Sequence, residues 1–288
     1  MPRPSPSARN RSLPPQPGTG RTPAGLERLR EHIRRLEGAG GTLAAANRRV
    51  LPFGADEIDS HLPGGGLVCG ALHEVFAADA GIATAFCALL AGRLARAADT
   101  DFILWCERPR ILDAGILYGP ALLPFGIDPG RLILVRARRD ADALWAMEEG
   151  LRCRRLAAIV GEVEKLSLTA SRRLQLAAEE TGVTVLALRP GNAAPPPSAA
   201  ATRWRLGTPD AAAQNAPNAM GANDNAGLDP RTIPPGLGAA RWRAELFRCR
   251  GGASANWTME WNDETGDLSV ASPVRDGPAL PAAAGLAG

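Results

Sequence analysis

Between residues 50 and 190 the hydrophobic positions gather into short, mostly apolar runs of strand length at 71–76, 102–106, 132–136, 156–160 and 183–188. The longer segments between them, 82–97, roughly 113–123, 141–152 and 169–181, carry apolar residues at helical spacing. Apolar strands that alternate with helices predict a mainly parallel sheet covered on both faces. Asp140 is the expected N-cap of the third helix and Gly182 the expected C-cap of the fourth. Past Pro190 the period shortens to two. Residues 203–206 predict a short strand, and 241–249, 257–261 and 268–271 predict C-terminal antiparallel strands turning at Gly251-Gly252 and at 264–266.

A separate stripe precedes this region. Leu26, Leu29, Ile33 and Leu36 recur every three or four residues, which predicts a helix within 24–41 that ends at Gly38, Gly40 and Gly41. So short a stripe needs a surface to dock on, its own domain or another protein. These four residues therefore form a candidate partner-binding helix. Around it lie a Pro-, Ser- and Arg-rich tail at 1–23 and the main α/β core at 50–190. A Pro/Ala loop with the short strand follows at 191–206, then an insertion at 207–239 expected to be disordered, the strands at 240–272, and a low-complexity tail at 273–288. No apolar run approaches the roughly 20 residues that span a bilayer. The N-terminal tail also lacks the apolar stretch of a secretory signal. The expectation is a cytoplasmic protein without membrane contact.

Composition changes this picture little, since 45% hydrophobic and 22% charged residues are ordinary for a globular chain. Cys69, Cys87, Cys106, Cys153 and Cys249 are scattered without metal-ligand spacing, so buried, reduced thiols and no metal site are expected. The formal charge is +3, and Lys165 is the sole lysine among many arginines. GC-rich coding produces that bias, so it does not by itself argue for nucleic-acid binding, and direct DNA contact stays open. Trp204 and Trp242 each stand between two arginines. In a period-two strand the tryptophan faces the core and the arginines face water, a better reading than a base-stacking platform. Trp145, one turn past Ala141 on an apolar stripe, is also expected in the core. His32, His61 and His73 lie far apart, with no nucleophile in recognisable context, so no hydrolytic triad is supported.

In an open parallel sheet, chemistry is expected at the carboxyl ends of the strands, here on the loop 76–84. A phosphate-binding GxxxxGK[ST] needs glycines for backbone approach, a lysine for the outer phosphates and a hydroxyl on magnesium. Its positions fall on Ala77 and Ile82 for the glycines, Ala83 for the lysine and Thr84 for the hydroxyl. Each missing charge-assisted contact forgoes about 1.5–3 kcal/mol, and Asp79 adds a repulsive negative charge. The acidic partner expected after the 156–160 strand is displaced: Gly161 stands there, with Glu162 next. The loop is degenerate, and neither a nucleotide cofactor nor ATP hydrolysis is expected.

Several strings carry a resemblance. Leu51-Pro52-Phe53-Gly54, Ile58-Asp59, and the stretches 62–67 and 70–75 look like the entry to a RecA-like core, and Cys106-Glu107 falls where RecA proteins place a catalytic glutamate. With no phosphate beneath it, Glu107 reads as structural. The strings at 132–139, 141–150 (ADALWAMEEG), 168–180 (LTASRRLQLAAEE), Arg203-Trp204-Arg205 and 241–252 (RWRAELFRCRGG) resemble the ImuA family over about residues 26–271. That resemblance implies a RecA-like protein without a usable phosphate loop, encoded in damage-inducible mutagenesis cassettes. The partners it implies are ImuB, a catalytically degenerate Y-family polymerase homologue, and through it an error-prone DnaE-type polymerase, with RecA as a further candidate. The implied role is a non-catalytic accessory of SOS-induced translesion synthesis, nucleoid-associated when bound to repair partners. RecA's mobile DNA-holding loop is not reproduced, because 191–201 carries three consecutive prolines and no basic residue. Two other readings are a divergent RecA-like ATPase and a SulA-type division inhibitor.

Overall fold

A computed structural model describes residues 49–98, 102–108, 115–191, 195–208, 240–262 and 265–271. The described part opens with β1 (Val50–Leu51), α1 (Asp56–Asp59) and β2 (Leu67–Val68), and among the described residues β1 pairs only with β2. Then come β3 (Leu72–Ala77), α2 (Ala80–Ala97), β4 (Phe102–Glu107), two 3-10 turns (Gly119–Phe125 and Pro129–Arg131) and β5 (Leu132–Arg136). The core continues through α3 (Asp140–Leu151), β6 (Leu156–Glu162), α4 (Leu168–Thr181), β7 (Thr184–Pro190) and β8 (Thr202–Gly207). β9 (Ala240–Cys249), β10 (Ala255–Trp261) and β11 (Leu268–Val270) complete it.

These strands form one nine-stranded sheet in the order β11-β10-β9-β8-β3-β7-β6-β4-β5. Every pair from β8 across to β5 is parallel, and β8 to β11 are antiparallel. The architecture is thus the expected α/β one, a mostly parallel mixed sheet flanked by helices with antiparallel strands at its C-terminal side. β3 lies between β7 and β8, and all six of its residues are buried, as its apolar run requires.

Two layers sandwich the sheet. On one face α2 and the segment carrying Phe53, Ile58 and Leu62 pack on Trp204, Trp242, Trp257 and Met259, so the C-terminal strands share a core with the parallel ones. Trp257 Nε1 donates to the Glu57 carbonyl at 3.0 Å, and the rings of Phe125 and Trp261 stack at 4.3 Å. On the other face α3 and α4 set Met147 and Leu174 on Leu104, Ile159 and Val185. Gly92 of α2 is forced: a Cβ there would stand 1.9 Å from the Phe125 carbonyl oxygen. α2 is long and apolar enough by composition to cross a bilayer, but 67% of it is buried inside this fold, as a core helix is.

Several expectations change. No α-helix forms over the described part of 113–123. Gly119–Phe125 is a 3-10 turn, since Pro124 lacks the N–H that an α-helix would bond to Pro120. Asp140 is not an N-cap. Arg139 holds that position, and the Asp140 carboxylate pairs with Arg108 and accepts from the N–H groups of Glu164 (2.9 Å) and Lys165 (3.1 Å). Gly182 caps α4 as expected, at φ 80°. Trp145 is 65% exposed, because Ala143, Ala146, Met147 and Leu151 form the buried stripe of α3 and leave it on the outer side. Cys153 is exposed too, while Cys87 and Cys106 are buried, the latter pushed up to about 12 by burial. Trp204 and Trp242 are core residues, yet Arg203 does not face water. It is buried with Arg189, and both guanidiniums reach Glu74 Oε2, at 3.0 and 3.1 Å.

His73 closes a second buried chain. Trp204 Nε1 donates to Thr202 Oγ1 at 2.8 Å, and that hydroxyl lies 2.7 Å from His73 Nδ1. His73 Nε2 sits 2.9 Å from the Val68 carbonyl, which places the single proton of a neutral ring on Nε2. Burial lowers the His73 pKa to about 4 from 6.5. The folded state therefore favours the neutral ring, and its stabilisation is full above pH 6.5 and lost as the pH falls towards 4. Urea denaturation of the parent and of His73→Gln should show their stability difference shrinking by roughly 3 kcal/mol across that window. Glu74→Gln should cost roughly 3–5 kcal/mol in the same assay, because two guanidiniums stay buried without their counter-charge.

Candidate functional site

The carboxyl ends of β3, β4 and β6 meet the first turn of α2 at one edge of the sheet. The connection from β3 to α2 is only Ala78 and Asp79. Asp79 is extended (φ -93°, ψ 115°), and its carboxylate accepts from the N–H of Gly81 at 2.8 Å and of Ile82 at 3.4 Å. The short side chain thus satisfies amides that the helix itself leaves unpaired. An N-terminal helix turn would otherwise offer them to an anion.

The four positions singled out on the loop are placed as follows. Ala77 is buried as the last residue of β3, in register with Pro190 and Leu206. Ile82 lies in α2, half-buried against the core, and Ala83 is fully buried there. Thr84 lines a cavity of about 260 Å³. The four are therefore split between a strand end, a helix interior and a cavity wall. Leu26, Leu29, Ile33 and Leu36 lie outside the described residues.

Glu107 and Glu162 also line that cavity, at the ends of adjacent parallel strands where Cys106 pairs with Gly161. Each carboxylate is held by fixed donors. Glu107 accepts from the Leu117 N–H at 2.6 Å and from Arg136 Nε at 3.1 Å, which ties the loop before the 3-10 turn and the edge strand to β4. Glu162 accepts from Trp105 Nε1 at 3.1 Å and the Arg108 N–H at 2.8 Å. Burial raises the Glu162 pKa, and the Glu107 charge adds to the rise. Both side chains tie the loops at the sheet's end to its strands. Ile116 and Tyr118, also on the cavity wall, are 60% and 69% exposed.

Sequence reading found Glu107, Glu162 and Thr84, but not Arg108, Trp105 or the exposed pair on the 115–118 loop. Trp105 reads locally as a strand residue. Its bond to Glu162 spans 57 positions, so no local signal announces it. Among the described residues no group of three or more His, Cys, Asp and Glu is arranged to hold a metal ion.

The fold and this site define a protein of the α/β class, built on a mostly parallel mixed sheet with helices on both faces. No family model matches the chain. Two curated relatives do: Protein ImuA of Caulobacter vibrioides strain NA1000 / CB15N and Protein ImuA of C. vibrioides strain ATCC 19089 / CIP 103742 / CB 15. Each is 38% identical over 226 residues, covering 73% of this chain and 83% of the relative. The chain belongs to the ImuA family.

Asp79→Ala should lower stability by about 1 kcal/mol through loss of the N-cap, read as a lower melting temperature for the full chain.

Proposed function

We propose that this protein is a non-catalytic accessory of damage-induced (SOS), error-prone translesion DNA synthesis. It acts through protein contacts with an ImuB-like Y-family polymerase homologue, which links it to an error-prone DnaE-type polymerase, and RecA is a further candidate partner. Family membership supports the mutagenesis setting. The observation that carries the non-catalytic part is Asp79. In a RecA-like reading of the core, the β3–α2 junction is where a phosphate loop would lie. Here two residues span the junction, and a carboxylate takes the amides that a phosphate would need. Ala83 is buried where the loop lysine would stand. Glu107 and Glu162 are engaged with backbone and side-chain donors, which favours anchoring over water activation.

Co-purification tests the partner. The full chain should capture the ImuB-like homologue, and failure to capture it would remove the accessory reading. Millimolar Mg-ATP should leave the melting temperature unshifted. Ile82→Gly combined with Ala83→Lys should release no phosphate above background, because Asp79 stays on the helix amides and the acidic partner stays displaced.

A further inference from the structure

Among the described residues the large sheet ends in two unlike edges, β11 and β5. β11 is three residues long, and so short an edge resists pairing. β5 is five residues, Leu-Ile-Leu-Val-Arg, paired to β4 in unbroken register, and none of the five is fully buried. Leu132 and Leu134 touch the core on the α2 side and Val135 the core on the α3 side, whereas Ile133 is 46% exposed. A strand apolar on both faces suits a sheet interior. This one stands at an edge without the lysine, proline or bulge that usually blunts one.

Hydrogen bonds fix which backbone groups of β5 stay open. The Ala137 N–H donates to the Glu107 carbonyl at 2.9 Å. By the alternation of a strand, Val135 and Ile133 also turn to β4, while Leu132, Leu134 and Arg136 turn outward. The Leu132 N–H already donates to the Pro129 carbonyl of the second 3-10 turn. Among the described residues this leaves the N–H and C=O of Leu134, the N–H and C=O of Arg136 and the C=O of Leu132 without a protein partner.

We propose that β5 pairs antiparallel with β5 of a second copy of this chain, about a twofold axis at Leu134. In that register Leu134 exchanges two hydrogen bonds with Leu134 of the second copy, and each Arg136 N–H donates to the Leu132 carbonyl opposite. Four bonds form, and none needs the Leu132 N–H that is already engaged. The side chains match as well. Ile133 faces Val135 of the second copy and Leu134 faces Leu134, apolar against apolar. Charge decides the direction. Asp128, before β5, is exposed, accepts from the Gly130 N–H and lies 3.8 Å from Arg131. Arg138, beyond β5, is exposed, and among the described residues no carboxylate pairs with it. Antiparallel pairing sets the Asp128 end of each copy against the Arg138 end of the other, whereas parallel pairing would set like ends together. The edge is separate from the cavity at the sheet's end and does not rest on the accessory reading.

Sedimentation equilibrium of the full chain tests it. The mass should rise from 30.1 kDa towards twice that value as concentration increases. Ile133→Lys, at a side chain already half in solvent, should keep the fold by circular dichroism and raise the dimer dissociation constant about tenfold or more. Asp128→Arg should weaken the dimer roughly two- to tenfold, as two exposed ion pairs allow, and adding Arg138→Asp should restore it. Amide exchange at Leu134 and Arg136 should slow as the dimer forms, while the Leu132 amide, bonded within the chain, changes least. A chain that stays monomeric at every concentration would overturn the proposal. So would a dimer indifferent to Ile133→Lys, or one that leaves exchange at Leu134 and Arg136 unchanged. Protection of those two amides only when a different protein is added would overturn it in favour of a foreign strand on the same edge. Capture of the ImuB-like homologue by Ile133→Lys is read separately, so failure of self-pairing and failure of the accessory role are distinguishable.

Discussion

One carboxylate, that of Glu74, ties the middle of the sheet together. It lies on β3, and both Arg189 of β7 and Arg203 of β8 reach its Oε2. The three residues are almost wholly buried, so the pairings lie where solvent screening is weak. A buried carboxylate without these partners would be costly, and so would either guanidinium without the carboxylate. The cluster therefore opposes any slip of β7 or β8 along β3. A one-residue shift would also move every side chain of a strand to the wrong face. The aromatic core beneath α2 depends on that register.

The same logic governs the sheet's end. Asp79 answers the open amides of α2 from within the chain, and Glu107 and Glu162 answer donors from loops and neighbouring strands. A catalytic site keeps some of its polar groups available to substrate. These groups are engaged with the protein itself, which fits the non-catalytic role proposed for it. The Ile116 and Tyr118 side chains stand exposed beside it. A fold retained in this form offers surfaces, which suits the accessory role proposed for this ImuA family member.

Much of the architecture is legible in the sequence. Five of the six parallel strands (β3 to β7), the helices α2, α3 and α4, the C-terminal antiparallel set and the Gly182 cap follow from apolar period and turn chemistry, which act over a few residues. Two local readings failed for local reasons. Pro124 turned an expected α-helix into a 3-10 turn, and the Asp140 carboxylate found partners beyond its own helix. Trp145 failed for a different reason: spacing identifies a stripe, but not which of two adjacent stripes meets the sheet.

The sequence by itself determined which segments are strands and helices and which face of each C-terminal strand is apolar, because alternation is a property of neighbouring residues. It also places Ala77, Ile82, Ala83 and Thr84 at the positions a phosphate loop would occupy, the basis of the proposed loss of nucleotide binding. Only the tertiary structure decided that the motif arginines are not simply solvated. Arg203 and Arg189 find Glu74 across 129 and 115 positions, and β8 and β9 bring two distant Arg-Trp-Arg motifs onto one face. Such partnerships belong to strand order and register, which are set by how the whole sheet assembles and not by any window of the chain.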